Sequence, residues 1–584
     1  MQHPEGAERW RWCERRRIVS GQFTELLEAG LKKCNTICES TCTLTADSKI
    51  RIDVRQISWI RPLAADYSSS FNSLAAFYAG DPHSPESWRS AIARSQQHPR
   101  QRQTVAAILR EQLIRRAAPP EALAAAATLA DERTVAIVTG QQAGAFGGPL
   151  YTVLKAVTTI QLARQAFEEH GVPVVPLFWV EAEDHDWAEV RSTTVLDAEL
   201  QPKEITLHDP TGAGELPVGA LTLRDTTAAL ASLRGALAPT DFSEWLSGSL
   251  DTAYAEGTRA ATAFARLLDQ LLGRHGLVVY ESNDPAAKPL VADIFARELQ
   301  FPGRTSSLAG AAGAQLQALG HKPQVTPAAD AVALFRMDPG RRLLRRDGDG
   351  FAAGEDRFDG AALVGEAVDH PERFSPNVLL RPVVQDAIFP TICYVAGPSE
   401  LAYLGQLRGV YEHFGIPMPL VYQRGTATLI DSAAARFLAK YETPFQDLQA
   451  QDDGTLNRLL QAQLPKEVEE ALADAGHQIQ RALDRVIEAL PAVDPTLAGA
   501  ARTTLSRMDQ DLKGLHNKVI QAAKKRDETL RRQFARAQAQ MFPSGAPQER
   551  TLGMAFFLNR YGPALVDRLL EELPLEGGHY LLTL

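Results

Sequence analysis

Cysteine is scarce in this sequence. The chain of 584 residues contains five cysteines, and four of them lie within the first 42 residues. A framework of disulfide bonds is therefore excluded for most of the chain, and a reducing, cytoplasmic environment is expected. The remaining cysteine, Cys393, lies in an apolar run, where a buried thiol acts as a small hydrophobic group.

Long apolar runs and an excess of positive charge are also absent. No run of about 18 apolar residues occurs, which excludes a transmembrane helix and makes a membrane partner unexpected. The formal net charge is −10, so nucleic acid is not an expected partner. The arginines near the start are not followed by an apolar segment, and no signal peptide is expected.

Residues 1–50 lack the periodic pattern of a folded segment. They are rich in Arg, Cys, Thr and Ser, and we expect a disordered extension or upstream sequence translated from an early start site. An alternative is a metal site on Cys34, Cys38 and Cys42, which a helix would place on one face. The spacing matches no standard zinc or iron–sulfur pattern, so the need for a metal stays open.

The apolar pattern between residues 51 and 425 predicts an α/β fold. Residues 57–132 are mainly helical in pattern. A β-branched run at Thr134–Val138 is followed by a glycine-rich turn, a helix from Leu150 to about Glu169 and an apolar run at Val172–Val180. Strand, helix and strand in this order form the βαβ unit of a parallel sheet.

The same alternation recurs further along the chain. Strands are predicted at Gly276–Tyr280, Thr391–Val395 and Leu420–Tyr422. Residues near 196–260 and 303–375 interrupt the pattern and are interpreted as insertions, the second with a hairpin at RRLLRRDGDGF. We therefore expect one catalytic core, built on a parallel sheet, with two insertions.

The pattern from Thr426 onward is wholly helical, with an arm over residues 426–545. Apolar residues recur there at alternating spacings of three and four, as in a coiled coil. They are Ile479, Leu483, Val486 and Leu490 before a proline break, and Leu505, Met508, Leu512, Leu515, Val519 and Ala522 after it. A second helix from Thr496 to Met541 would form an antiparallel hairpin with the first and provide a homodimer contact. Residues 546–584 are expected to pack back on the core.

The stretch TGQQAGAFGGPLY follows a predicted strand and opens a helix. Its glycines let a ligand approach the backbone, and a helix N-terminus attracts anions. A turn that needs glycine for packing alone is the alternative, and the stretch is neither a Walker A loop nor a GxGxxG fingerprint. The candidate binding residues are Gly140, Gln141, Gln142, Gly144, Gly147, Gly148, Tyr151 and Lys155.

The stretch WVEAEDHDW lies where the second strand is predicted to end. Ligands bind at the carboxyl ends of strands in open α/β sheets. Carboxylates around His185 would raise the pKa of its imidazole and orient the ring, so that it acts as a base. A divalent metal site and a solvated acidic loop are the alternatives. The candidate catalytic residues are His185, Asp184, Asp186 and Glu183, and Glu181 completes the cluster.

Polar residues also surround the strand predicted at Thr391. Arg381 would bind a carboxylate with its forked guanidinium. A helix predicted from Glu400 to about Phe414 would carry polar side chains spaced by three on one face. A purely structural role for Asn377 and Arg381 is the alternative. The candidate binding residues are Asn377, Arg381, Gln385, Gly397, Glu400, Tyr403 and Gln406.

Several long stretches resemble the family of cysteine-adding enzymes of bacillithiol biosynthesis. They include GGPLYTVLKAVTTIQLA, EDHDWAEV, FSPNVLLRPVVQD, AYLGQLRGVYEHFGIPMP and FLNRYGPALVDRLL, and the resemblance begins near residue 57. It implies a ligase for the last pathway step, in which L-cysteine is joined through its carboxyl group to the amine of glucosaminyl-malate. The usual GGPGE of this family reads AGPSE here, with Ser399 in place of a glycine.

The resemblance also implies an architecture and a cofactor. It implies a Rossmann-like core similar to class I aminoacyl-tRNA synthetases, with connecting insertions and a coiled-coil arm that supports a homodimer. ATP or another activating nucleotide is the expected cofactor, although the HIGH and KMSKS signatures of those synthetases are missing, which argues against simple adenylation. The alternatives are a synthetase-like nucleotidyl transferase or ligase on another amine or RNA, and a non-catalytic nucleotide-binding coiled-coil scaffold.

Overall fold

The computed structural model describes residues 49–338 and 340–584. The predictions for residues 1–48, including the cysteine cluster, lie outside the described residues. In chain order the strands are β1 (Ile50–Ile52), β2 (Val135–Gln142), β3 (Val174–Glu181), β4 (Ser192–Leu196), β5 (Pro202–Thr206), β6 (Val278–Glu281), β7 (Ala331–Arg336), β8 (Arg342–Asp347), β9 (Gly350–Ala353), β10 (Asp356–Phe358), β11 (Phe374–Pro376), β12 (Thr391–Ala396), β13 (Leu420–Gln423), β14 (Thr426–Ile430) and β15 (His579–Thr583).

Helices precede the central strands, connect them and dominate the chain after residue 430. They are α1 (Pro62–Ser69), α2 (Pro85–Gln97), α3 (Arg102–Arg115), α4 (Pro120–Thr128), α5 (Tyr151–His170), α6 (Trp187–Val190), α7 (Thr226–Ala236), α8 (Ser243–Ala253), α9 (Ala260–Leu272), α10 (Ala292–Gln300), α11 (Arg304–Ala318), α12 (Gly360–Asp369), α13 (Arg381–Ile388), α14 (Pro398–Leu404), α15 (Arg408–Phe414), α16 (Ser432–Tyr441), α17 (Gly454–Gln461), α18 (Lys466–Ala489), α19 (Leu497–Arg526), α20 (Glu528–Met541), α21 (Gln548–Thr551), α22 (Met554–Tyr561) and α23 (Ala564–Glu572). The helical region predicted at residues 57–132 is confirmed by α1 to α4.

The core is a five-stranded parallel sheet with the order β13-β12-β2-β3-β6. The chain lays down β2, β3 and β6 in one direction and later adds β12 and β13 on the other side, so the strand order reverses beside β2. Both β2 and β12 are buried along most of their length, as strands covered on both faces are. The predicted α/β fold is confirmed, and the reversal marks the place where such sheets bind ligands.

One strand boundary differs from the prediction. β2 continues past Val138, so Gly140, Gln141 and Gln142 belong to the strand and not to the following turn. The register pairs Gln142 with Glu181 at the end of β3. Backbone pairing with β3 and the surrounding burial outweigh the weak strand preference of glycine and glutamine. The two glutamines therefore lie at the carboxyl edge of the sheet.

Each of the two stretches predicted as insertions contains antiparallel strands. The first contains the antiparallel pair β4–β5 followed by α7 and α8. The second contains an antiparallel sheet with the order β10-β9-β8-β7-β11. β8 and β9 are joined at Gly348, whose φ of 58° suits a tight turn, and this confirms the predicted hairpin.

The prediction that the chain is wholly helical after Thr426 is wrong. β14 pairs in parallel with β15, with Thr426 opposite His579, and β1 joins β15 in antiparallel. Every residue of β14 is buried, and its TATLI sequence suits a strand. Its partner lies beyond the whole arm, so the local pattern contains no sign of the pairing.

The arm is an antiparallel hairpin of α18 and α19. His516 Nε2 lies 2.9 Å from Oε1 of Glu469 across the hairpin, which confirms the predicted direction. The second helix does not run unbroken to Met541, because the chain leaves helical geometry at Asp527. The Asp527 carboxylate accepts the Leu530 N–H at 2.8 Å and begins α20. In the described part of the chain no helix combines the length and apolar character needed to cross a bilayer.

The segment after the arm packs on the core. The Leu150 N–H donates to the Leu552 carbonyl at 3.0 Å, and the Met554 N–H donates to the Gly148 carbonyl at 2.8 Å. These bonds place the start of α22 against the start of α5, while α23 lies along α5. Residues that follow the arm in sequence therefore support the turn after β2.

Candidate active site

A cavity of about 370 Å³ opens at the carboxyl ends of β2, β3 and β12, beside the reversal of strand order. The three stretches singled out in the sequence all contribute to it. Eleven of the nineteen predicted site residues line the cavity: Gly140, Gln141, Gln142, Tyr151, Lys155, Asp184, Asn377, Arg381, Gly397, Glu400 and Tyr403. The other eight lie outside the lining: Glu183, His185, Asp186, Gly144, Gly147, Gly148, Gln385 and Gln406.

An ion pair between Lys155 and Glu400 lies in the cavity wall. Lys155 Nζ also donates to the Gly140 carbonyl at 2.8 Å. The Glu400 carboxylate accepts the Tyr394 hydroxyl at 2.8 Å and the Gly397 N–H at 2.7 Å. Burial lowers the pKa of Lys155 against the pull of Glu400, whereas Lys155 and the two donors hold the pKa of Glu400 below its ordinary value despite burial. The charges of Lys155 and Glu400 therefore balance each other, and the pair holds the carboxyl edge of the sheet in place.

Arg381, the first residue of α13, is the cation at the centre of the predicted set. Its guanidinium donates to Gln385 Oε1 at 3.0 Å and lies 5.7 Å from the Trp179 ring centre and 5.9 Å from that of Tyr394. Burial alone would lower the pKa of Arg381, but the surrounding tyrosines and carboxylates raise it above the ordinary value. Arg381 is therefore a permanent positive charge in the cavity, and Gln385 positions it from outside the lining.

A second cationic group comes from residues that the prediction missed. Arg424 and Glu549, each 2% exposed, form two hydrogen bonds of 2.7 and 2.9 Å. The guanidinium groups of Arg424 and Arg550 lie 5.4 and 5.9 Å from the Tyr151 ring centre. The Nε of Arg424 is buried and has no hydrogen-bond partner within the described ranges. Because α21 supplies Glu549 and Arg550, the segment after the arm builds part of this wall.

Asp184 is the one predicted catalytic residue that lines the cavity. Glu183 is buried outside the lining and forms an ion pair with Lys288. Asp186 is exposed and begins α6 by accepting the Glu189 N–H at 3.1 Å. The placement of Glu183 and Asp186 gives them structural contacts in place of access to the cavity.

His185 lies outside the cavity lining, with 40% of its side chain exposed. Its Nδ1 is 3.3 Å from Asp184 Oδ1, but Arg341 Nη1 lies 3.0 Å from the same oxygen and 3.5 Å from Nδ1. The Asp184 carboxylate beside His185 is therefore shared with the Arg341 guanidinium. The role of His185 as the base stays a prediction. Within residues 49–338 and 340–584, no group of three or more His, Cys, Asp or Glu side chains is arranged to hold a metal.

The glycines of the turn after β2 do not present free N–H groups. The N–H of Gly144 donates to the Gln142 carbonyl at 2.9 Å, that of Gly147 to the Tyr254 hydroxyl at 3.2 Å, and that of Gly148 to a carbonyl within the turn at 3.1 Å. Gly147 and Gly148 have φ values of 95° and 67°, which a larger residue would rarely adopt. The expected anion-binding turn is corrected to a turn shaped for packing.

Gln406 does not share a helix face with Glu400 and Tyr403, because α14 ends at Leu404. The single helix predicted here is two short ones, α14 and α15. The Gln406 side chain is buried, donates to the Val325 carbonyl at 2.9 Å and accepts the Val325 N–H at 3.1 Å. Gln406 therefore joins the second insertion to the core and does not reach the cavity.

Two family models together match almost the whole described chain. The bacillithiol biosynthesis BshC N-terminal Rossmann-like domain matches residues 50–425, and the BshC C-terminal coiled-coil domain matches residues 427–584. The chain belongs to the BshC family. The boundary between the two BshC domains falls beside Arg424, so both domains contribute to the cavity.

Curated BshC relatives align over most of their length. A protein of Salinibacter ruber is 35% identical over 519 residues, which cover 88% of this chain and 94% of the relative. A protein of Koribacter versatilis is 33% identical over 527 residues, 89% of this chain and 97% of the relative. A protein of Symbiobacterium thermophilum is 35% identical over 463 residues, which cover 76% of this chain and 83% of the relative. Each bears the name "Putative cysteine ligase BshC".

Several residues that line the cavity of this BshC family member were not predicted as site residues. Glu181 was noted only as part of the acidic cluster, although it ends β3 at the carboxyl edge, where the rule for open sheets looks for ligands. Arg341 comes from the second insertion, Arg424 from the loop after β13, and Arg550 from α21. No local pattern connects these three arginines, because only the folded chain brings them together.

Proposed function

We propose that this member of the BshC family is a cytoplasmic ligase that joins the carboxyl group of L-cysteine to the amine of glucosaminyl-malate. The observation that carries the proposal is the cavity at the reversal of strand order, whose wall presents cations, carboxylates and amides together. The printed names of the relatives support cysteine as the donor. The product would be bacillithiol, in the last step of its synthesis.

The cations of the wall suit the two carboxylates of a malate group. Arg381 carries a permanent charge and a forked donor set, and Arg341 lies in the same cavity lining. The amides of Gln141 and Gln142 lie at the same edge and suit sugar hydroxyl groups. This arrangement supports glucosaminyl-malate as the acceptor.

Amide formation from cysteine requires an activated carboxyl group, and ATP or another activating nucleotide would supply the leaving group. The turn after β2 does not fit the phosphates of such a nucleotide, because its glycine N–H groups already form hydrogen bonds within the protein. Arg424 and Arg550 do fit, since the buried Nε of Arg424 lacks a partner and Arg550 is exposed at the same wall. These two side chains would hold and orient a phosphate group.

The test is product formation by the purified protein. With L-cysteine, glucosaminyl-malate and ATP, we expect bacillithiol to appear in mass spectra, and the mixture without ATP is the control for activation. A full reaction mixture that yields no thiol product contradicts the proposal. Steeply salt-dependent binding of RNA in its place would favour a synthetase-like enzyme acting on RNA.

We also propose that the arm joins two copies of the chain. α18 buries none of its side chains, and Val486, Met508 and Leu515 are 45%, 39% and 51% exposed. A second arm would cover these apolar side chains, as in coiled coils.

The test of this interface is the mass in solution. Leu515→Glu should convert a dimer to a monomer in multi-angle light scattering, because the charge would enter the apolar seam. Lys513→Gln, at an exposed position nearby, should leave the mass unchanged. A wild-type protein that is monomeric across the concentrations used would contradict the proposal.

A further inference from the structure

Glu181, the last residue of β3, differs from the neighbouring carboxylates around the cavity. Four of them form an ion pair: Glu400 with Lys155, Asp184 with Arg341, Glu183 with Lys288 and Glu549 with Arg424. Glu189 also lines the cavity and forms no ion pair within the described ranges, but it is exposed to solvent. Within the described ranges no lysine, arginine or histidine forms an ion pair with Glu181. Arg381 and Arg341 act on Glu181 only through space, so no cation contacts its carboxylate oxygens directly and they can accept a cationic ligand group.

Three neutral groups hold the Glu181 carboxylate in place. Trp179 Nε1–H donates to Oε2 at 3.1 Å, the Glu183 N–H donates to Oε1 at 3.2 Å, and the Ser282 hydroxyl donates to Oε1 at 3.4 Å. A carboxylate has about four acceptor positions, so it retains room for a ligand donor. Burial raises the pKa of Glu181, which brings it closer to that of a group that accepts a proton near neutral pH.

We propose that Glu181 binds the amine of the acceptor substrate and takes a proton from it. This assignment rests on the proposed function. The ammonium group of glucosaminyl-malate would form the direct ion pair that no described side chain forms with Glu181. One N–H proton passes to a carboxylate oxygen, which leaves Glu181 as the carboxylic acid and the amine with a free lone pair. The lone pair then attacks an activated carboxyl derivative of cysteine, a mixed anhydride by class, whose leaving group departs with the electrons of its C–O bond and takes up the second proton that the nitrogen loses.

Charged groups on several elements set the titration of Glu181. Arg381 from α13 and Arg341 from the loop before β8 favour the carboxylate, and Glu183 opposes it. The other titratable neighbours are Tyr280 of β6 and Tyr403 of α14. Because a base acts in its unprotonated form, kcat/KM should fall as the pH falls through the pKa of Glu181. Glu181→Gln should remove that acidic limb of the pH profile and lower kcat/KM at neutral pH by about 100-fold or more.

Ligand binding tests the contact without a nucleotide. Calorimetric titration compares glucosaminyl-malate with glucosyl-malate, which has a hydroxyl in place of the amine. We expect Glu181→Gln to weaken glucosaminyl-malate binding by about 10- to 100-fold, the range of one charge-assisted hydrogen bond, and to leave glucosyl-malate binding nearly unchanged. Glu181→Asp keeps the charge on a shorter side chain and should keep part of the preference. Glu204→Gln, exposed on β5, is the matched control and should bind as the wild type does.

The outcomes separate the two proposals. A preference for the amine that survives in Glu181→Gln overturns the assignment and leaves the proposed function standing. Wild-type protein that binds neither ligand overturns both. If Glu181→Gln does not keep the wild-type circular dichroism spectrum, Glu181→Asp decides, and an unchanged preference together with an unchanged pH profile in that variant counts against the assignment.

Discussion

The charged residues of the cavity wall and those of the arm have opposite surroundings. Arg424 and Glu549 are each 2% exposed and bonded twice, whereas Lys513 and Asp509 on α19 form a 2.6 Å pair with 72% and 54% of their side chains exposed. Water screens the second pair, but the first has no solvent to replace a lost partner. Removing one partner should therefore cost far more free energy of unfolding in the buried pair than in the exposed pair.

Breaking the buried pair should have the largest effect. Glu549→Gln leaves the Arg424 guanidinium buried without a counter-charge, and we expect the free energy of unfolding of the core to fall by about 3–5 kcal/mol. Urea denaturation followed by tryptophan fluorescence measures the change. Asp509→Asn, which breaks the exposed pair, should cost no more than about 0.5 kcal/mol. Equal losses of unfolding free energy in the two variants would contradict the predicted difference between the buried and the exposed ion pair.

Arg381→Lys sharpens the comparison inside the cavity. The substitution keeps the charge but removes the fork and the bond to Gln385, so we expect the KM for glucosaminyl-malate to rise about 10- to 100-fold. Arg345→Lys, on the exposed surface of the second insertion, is the control and should leave KM unchanged. A similar small change in both variants would show that Arg381 does not bind the acceptor.

The smallest expected effect concerns the base of the arm. Asp431 accepts hydrogen bonds from Arg536 of α20 at 2.8 Å and Arg560 of α22 at 2.6 Å. Burial opposes the charge, but these bonds and that from Gln540 hold the pKa of Asp431 below its ordinary value. The stabilisation is therefore present above the unfolded pKa and is lost as the pH falls below about 4.

Asp431→Asn should test this dependence. It should lower stability by about 1.5 kcal/mol at neutral pH and less at low pH, where the wild-type carboxyl is protonated as well. Melting temperatures measured between neutral and acidic pH would show the two proteins converge. A constant difference across that range would mean that the Asp431 charge does not anchor the arm.

The sequence predicts the elements with strong local signals. The α/β core, α5, the hairpin of β8 and β9 and the antiparallel arm are all confirmed, because each is encoded by periodicity or by turn residues close in the chain. β14 and β15 escaped prediction because parallel strands so far apart leave no shared local pattern. The end of β2 was missed because its last residues are held by neighbouring strands, not by their own preference.

The candidate site divides in the same way. Lys155, Arg381 and Glu400 stood out because they lie near predicted strand ends, and they do line the cavity. His185 and the turn glycines also lie near strand ends, but they lie outside the cavity lining. The His185 ring contacts Arg341, and the glycine N–H groups form hydrogen bonds within the protein. Tertiary packing decides where a side chain points and whether a backbone N–H already has a hydrogen-bond partner. Residue spacing alone does not reveal either.

The cavity wall joins two pieces of chain that are synthesised far apart in time. Arg424 emerges from the ribosome well before Glu549 and Arg550, and the whole arm is made between them. A nascent chain that already contains the parallel sheet thus still lacks a side of its pocket. A polypeptide cut short within the arm would lack Glu549, and its Arg424 would lose the carboxylate that balances its charge.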